Sequence, residues 1–153
     1  VPIKNMAITI EQALDFFANL RQPYKDLAMF QFFTASRISE AAGLQFSNID
    51  LEMKKAVILQ TARWDMTSKQ YLGLNPHPKN KEPRICYITN EIEQIINRRL
   101  LYKEDGCDFV FHIEGKPLDY SNIQVNYKSG QNKARLTVTG THILRHGMAK
   151  LDR

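Results

Sequence analysis

Between Thr9 and Leu44 the apolar residues fall at helical spacing in three successive groups, and this much early helix commits the chain to a helix-rich core. Thr9 and Gln12 have the spacing of a capping box, which opens a helix through Ala13, Leu14, Phe16, Phe17 and Leu20. Pro23 suits the first turn of a second helix reaching about Thr34, anchored by Leu27, Ala28, Phe30 and Phe33. A short third helix over Ile38–Leu44 ends near Asn48–Asp50. With 153 residues the chain makes one domain, long enough to bury a core without staples.

Strand signals follow. Lys55 to Thr61 reads as one strand and Arg84–Thr89 as another, together a small antiparallel sheet. The stretch 65–83, punctuated by Gly73, Pro76, Pro78 and Pro83, reads as an irregular connection carrying Lys79 and Lys81. Thr89 or Asn90 caps a helix whose Ile92, Ile95, Ile96 and Leu100 share a face, with Arg98, Arg99 and Lys103 complementing the dipole at its end. Asp108–His112 is a brief extended piece, and Asp119 caps a helix bearing Ile123 and Tyr127. A polar linker runs from Ser129 to about Leu136, and Thr141 opens a last helix with Ile143, Leu144, Met148 and Leu151 inward. The expected class is α+β, mainly α: a helical core with one small antiparallel β-sheet.

Charge narrows the partner. Residues 1–120 carry 15 basic and 15 acidic side chains. The last 33 carry Lys128, Lys133, Arg135, Arg145, Lys150 and Arg153 against Asp152, so the whole net charge of +5 sits at one end. Lys69, Lys79, Lys81 and Arg84 form a second basic group. Concentrated positive charge of this kind collects polyanions. No apolar run approaches the roughly 20 residues of a membrane span. Two cysteines make no disulfide framework, which fits a reducing, cytoplasmic compartment. The opening Val-Pro-Ile-Lys-Asn lacks a starting methionine and reads as part of a longer protein.

Phosphate-binding glycine loops and the Gly-x-Ser-x-Gly elbow are absent. His142 and His146 have a zinc spacing, but Ile143 replaces the glutamate of a metalloprotease helix. Arg145 between them also opposes a second cation, so no metal is expected. His142 and Arg145, three apart on a helix, project from one face; a guanidinium fork beside an imidazole suits a phosphate diester. Arg37 lies in the apolar segment Phe32-Phe33-Thr34-Ala35-Ser36-Arg37, where a buried charge needs a partner, and Glu40 is the expected one.

Taken together these residues resemble the tyrosine recombinases, or phage-type integrases, in their catalytic domain. Arg37 and Glu40, followed by Leu44 and Asn48-Ile49-Asp50, resemble the family's first arginine box. Lys79-Asn80-Lys81-Glu82-Pro83-Arg84 resembles its β-hairpin lysine motif, with Lys79 at the catalytic position and Lys81 as the alternative. His142-Ile143-Leu144-Arg145-His146 is similar to its His-x-Leu-Arg-His box. The resemblance implies the fold of DNA breaking–rejoining enzymes, with residues 1–153 as a catalytic-domain fragment. It also implies site-specific recombination through a 3′-phosphotyrosine intermediate, without cofactor, on double-stranded DNA, the parent being a tetramer on its site. In that chemistry Arg37 and Arg145 clamp the scissile phosphate, Lys79 protonates the departing 5′ oxygen, and His142 assists proton transfer. Glu40 and His146 support the site, and Lys69, Arg84, Lys133 and Arg135 are candidate phosphate contacts.

Departures are visible. Ala35 stands where the family usually has glycine, and Gly147 where threonine is common. Tyr24, Tyr71, Tyr87, Tyr102, Tyr120 and Tyr127 all precede the His-x-Leu-Arg-His box, so none matches the family's nucleophile, and the fragment alone is expected to be inactive. Two other readings use the same residues: a non-catalytic DNA binder with Ser36–Asp50 as half of a helix-turn-helix, and an enzyme like the type IB topoisomerases.

Overall fold

The computed structural model describes residues 8–77, 79–137 and 140–141. Helix α1 (Ile10–Ala18) begins where the capping box requires: Thr9 Oγ1 accepts from the Gln12 N–H at 3.1 Å, and Gln12 Oε1 accepts from the Thr9 N–H at 2.8 Å. Its Ala13, Phe16 and Phe17 are buried, whereas Leu14, expected on the same face, is 56% exposed. Helix α2 (Tyr24–Thr34) is the central element. Tyr24, Leu27, Ala28, Phe30 and Phe32 are at most 1% exposed, because α1, α4 and α5 pack around it. Phe17 meets Phe32 edge to face at 5.8 Å, and Phe30 lies 5.6 Å from Phe111.

Helix α3 (Ile38–Ala42) is short, and a single 3₁₀ turn over Phe46–Asn48 leads directly into strand β1 (Ile49–Asp50). No second helix follows α3, so the helix-turn-helix reading of Ser36–Asp50 is not met. Gly43 explains how closely this corner packs: a side-chain carbon there would stand 2.8 Å from the Ala62 backbone nitrogen.

The segment expected as one strand, 55–61, divides at Leu59 into β2 (Lys55–Ile58) and β3 (Gln60–Trp64). β2 lies between β1 and β5 (Arg84–Tyr87), antiparallel to both, with Ala56 opposite Cys86 and Ile58 opposite Arg84. Alternation turns Ala56, Ile58 and Cys86 toward the helices and Lys55 and Tyr87 outward. β3 instead pairs with β4 (Tyr71–Pro76), so much of the stretch expected to be irregular is a β-hairpin. Its tight turn is closed by Asp65, whose carboxylate accepts the Thr67 and Ser68 N–H groups at 2.9 and 2.7 Å. Those two bonds hold the Asp65 carboxyl below its ordinary value.

Helix α4 (Asn90–Leu101) is capped by Thr89 as expected. After a two-stranded ladder of β6 (His112–Ile113) and β7 (Lys116–Pro117), α5 runs over Tyr120–Lys133. Its length corrects the expected linker from Ser129. Gly130 stays helical because its bare backbone lets α5 approach α1, where a side-chain carbon would meet Leu20 Cδ2 at 2.8 Å and Phe16 Cε1 at 3.0 Å. Tertiary packing overrides the low helix propensity of Ser129 and Gly130. Asp119 does not cap α5 with its side chain; it accepts the Tyr71 N–H at 2.7 Å and ties the hairpin to the helix. The expected helix from Thr141 lies outside the described residues.

Candidate functional site

The Arg37 segment is placed by the way α2 ends. Ala35 takes the left-handed conformation, φ 55°, and turns the chain out of the helix. Ser36 is then fully buried and Arg37 emerges at the surface as the residue that opens α3. Sequence reasoning expected a buried Arg37 paired with Glu40. Instead the Arg37 side chain is exposed and makes no ion pair with any described residue. Glu40 holds Arg37 by its backbone, Oε1 accepting the Arg37 N–H at 2.8 Å.

The partner of Glu40 is Arg84. Arg84 shares the inner face of β5 with Cys86, so its guanidinium reaches under the sheet rather than out from it. It donates to Glu40 Oε1 at 2.7 Å and to the Thr34 carbonyl at 2.5 Å. Arg84, expected among the phosphate contacts, thus cross-links β5 to the end of α2 and the start of α3.

Arg37 and Glu40 border an open cleft of about 460 Å³. Its other walls come from the Ile58–Thr61 switch between sheets, from Asn75 to His77 at the end of β4, and from Lys81, Glu82 and Arg84. His77 Nε2 bonds the Lys81 carbonyl, closing the turn that carries Lys79. Of the two candidate lysines, Lys81 lines the cleft; Lys79 is exposed in the same turn. Lys69 sits at the other end of the hairpin and donates to Gln124 Oε1 on α5 at 2.8 Å. Lys133 and Arg135 are exposed at and just past the end of α5. His142, Arg145 and His146 lie outside the described residues.

The chain immediately before His142 is described, and it is tightly held. Gly140 pairs by both backbone groups with the Gln131 amide, each bond 2.9 Å. Thr141 offers its carbonyl to Gln31 Nε2 at 3.1 Å, and its hydroxyl lies 3.3 Å from the Tyr120 hydroxyl. Gln31 and Gln131, both with no exposed surface, had no place in the sequence reading. The available signal was a glutamine inside Phe30-Gln31-Phe32-Phe33, since an amide in so apolar a run has to find internal partners. Among the described residues no three His, Cys, Asp or Glu side chains are grouped to hold a metal ion.

The helices and small sheets around this cleft form a fold shared with solved integrases and recombinases. The Tn1549 transposon integrase, solved with a circular intermediate DNA, superposes with a TM-score of 0.78 at 20% identity, over 95% of this chain and 52% of that one. XerA recombinase gives 0.67 at 17% identity, over 94% and 48%. The lambda integrase catalytic core gives 0.67 at 11% identity, over 95% and 81%. The chain thus spans about half the length of the first two proteins and most of the isolated lambda core. The phage integrase family's sequence pattern fits residues 7–151, and the chain belongs to that family. No protein with a curated description matches it.

Proposed function

We propose that the chain is the greater part of the catalytic domain of a site-specific DNA recombinase, and that its cleft receives a DNA phosphate. The observation that carries this reading is the division of labour at the α2–α3 corner. Glu40, whose carboxylate accepts the Arg37 N–H, is neutralised by Arg84, which leaves the Arg37 fork exposed at the cleft rim with no ion pair to any described residue. A guanidinium held that way suits bidentate binding of two nonbridging phosphate oxygens. DNA as partner is supported by the Tn1549 integrase, solved bound to it, and by the +5 net charge.

In this reading Arg37 and Arg145 hold the scissile phosphate and offset the charge that builds up in its transition state. Lys79, or Lys81 from the cleft wall, donates a proton to the departing 5′ oxygen, and His142 moves the proton of the attacking hydroxyl. Attack by a tyrosine stores the bond energy as a 3′-phosphotyrosine, so resealing needs no external energy source. The six tyrosines here all precede the His142–His146 box and none is taken as that nucleophile; Tyr24 and Tyr127 are buried besides, and burial raises both above the ordinary phenol value. The whole protein's assembly as a tetramer and its cytoplasmic location belong to the same proposal.

The test is binding of a short DNA duplex by the 153-residue chain across a salt series. Arg37→Ala is expected to weaken binding by roughly 10–100-fold and to lower the salt slope by about 1. Unchanged affinity and slope would refute the phosphate role. On a nicked suicide duplex this chain is expected to form no covalent adduct; an adduct would place the nucleophile among its own tyrosines.

A further inference from the structure

Gln31 occupies an unusual position. Its side chain has no exposed surface, yet both of its N–H groups leave the helix it belongs to. Nε2 donates to the Ser36 carbonyl at 3.2 Å and to the Thr141 carbonyl at 3.1 Å. Ser36 precedes Arg37 and Thr141 precedes His142, so one nitrogen holds the peptide units that lead into two of the candidate site residues. These segments are 105 positions apart in sequence, counting from Ser36 to Thr141.

The orientation of the amide is fixed from its other end. Oε1 accepts from the Tyr127 hydroxyl at 2.9 Å. Tyr127 is 1% exposed, and a buried phenol that stays protonated is a reliable donor. If the amide were flipped, an oxygen would face two carbonyl oxygens and an N–H would face the hydroxyl. The Tyr127 bond therefore keeps both donors on the two chain segments. Other bonds described at this corner act on one segment each: Gln131 holds Gly140, Glu40 holds the Arg37 backbone, and the Tyr120 hydroxyl meets that of Thr141.

We propose that Gln31 is a positioning residue: through its two donor bonds, oriented by Tyr127, it sets the spacing between the Arg37 turn and the segment entering the His142–Arg145 box. The inference rests on the proposal that Arg37 and Arg145 hold one phosphate. Gln31 touches neither DNA nor a reacting atom. It bridges the Ser36 and Thr141 peptide units, which lead into groups that have to bind the same ligand, and misplacement of such groups by about 1 Å is enough to cost much of their cooperation.

The experiment is a double-mutant cycle on duplex binding, with a short fluorescein-labelled DNA duplex as the probe. Arg37→Ala, Arg145→Ala and the double variant are measured in the unsubstituted chain, in Gln31→Met and in Tyr127→Phe. In the unsubstituted chain the two losses are expected to be coupled by about tenfold, as for groups sharing one ligand. In Gln31→Met the coupling is expected to fall below about twofold. Tyr127→Phe removes one hydroxyl and preserves packing, so it carries the test should Gln31→Met fail to fold, with coupling reduced partway. Full coupling retained in Tyr127→Phe and in any folded Gln31→Met, with only thermal stability lowered, would overturn the positioning role. Duplex binding without coupling in the unsubstituted chain would remove the shared site and this inference with it, while absence of duplex binding would refute the proposed function itself.

Discussion

Ala35 is the residue on which the cleft turns. It sits at φ 55°, ψ 34° immediately after α2, a conformation that costs an L-residue with a Cβ roughly 1–2 kcal/mol. Glycine would adopt it freely but would lose about 0.5–1 kcal/mol through the greater freedom of the unfolded chain. Ala35→Gly is therefore expected to stabilise the protein by up to about 1 kcal/mol, and Ala35→Val, β-branched at the same φ, to destabilise it. Urea unfolding midpoints of the two variants check this; a stabilised valine variant would contradict the backbone account. The difference between alanine and the glycine usual in the family is visible in the sequence. That this position is the left-handed exit from α2 is legible only once the turn into Arg37 is seen.

At the scale of elements, α2 is joined to α4 by charges as well as by aromatic packing. Asp26, 1% exposed, accepts from Arg98 Nε and NH2 at 3.1 and 2.7 Å, and Arg99 NH1 lies 3.8 Å from its other oxygen. Arg99 is itself buried, with Nε donating to the Val110 carbonyl, and burial lowers its pKa. Sequence reasoning assigned Arg98 and Arg99 only to the helix dipole, because their partner lies about 72 residues earlier in the chain. Asp26→Ala would strand the Arg99 charge and is expected to cost about 3–5 kcal/mol. Arg98, with 41% of its side chain exposed, should cost under about 1 kcal/mol when truncated to alanine. Equal losses in denaturant unfolding would show that the buried arginine does not depend on Asp26. The same non-local logic accounts for the hairpin misread as irregular. Its strands are recognisable by their pairing with each other and by docking on α5 and the chain just before it, where Trp64 Nε1 donates to the Leu118 carbonyl at 2.9 Å and Lys69 Nζ to Gln124 Oε1 at 2.8 Å.

For the molecule as a whole, one buried imidazole gives folding a pH dependence. His112 is 4% exposed; its Nδ1 accepts the Gly115 N–H at 3.0 Å, which requires the neutral ring. Burial, with the Arg99 charge second, holds its pKa below the ordinary 6.5. The unfolded chain therefore takes up this proton first as the medium is acidified. Stability is retained above pH 6.5 and declines as pH falls from there toward the depressed folded value. Stability curves between pH 8 and pH 5 should show this decline, and His112→Gln should flatten it. An unchanged slope in that variant would assign the effect to other groups.

Hydrophobic spacing, capping residues and strand composition were enough to define the helix-rich class, α1, α2 and α4, and the pairing of 55–58 with 84–87. All of these depend on interactions within a turn or on a face pattern that a short window contains. The three cation-bearing boxes were also readable as words in order. Tertiary structure alone decided how Arg84 and Glu40 neutralise each other, which lysine lines the cleft, and that Gln31 and Gln131 hold the chain before His142. Those outcomes turn on which face of a strand a side chain takes and on contacts between segments up to 110 residues apart. No local window of sequence encodes such contacts, because their energy exists only after the core has brought the segments together.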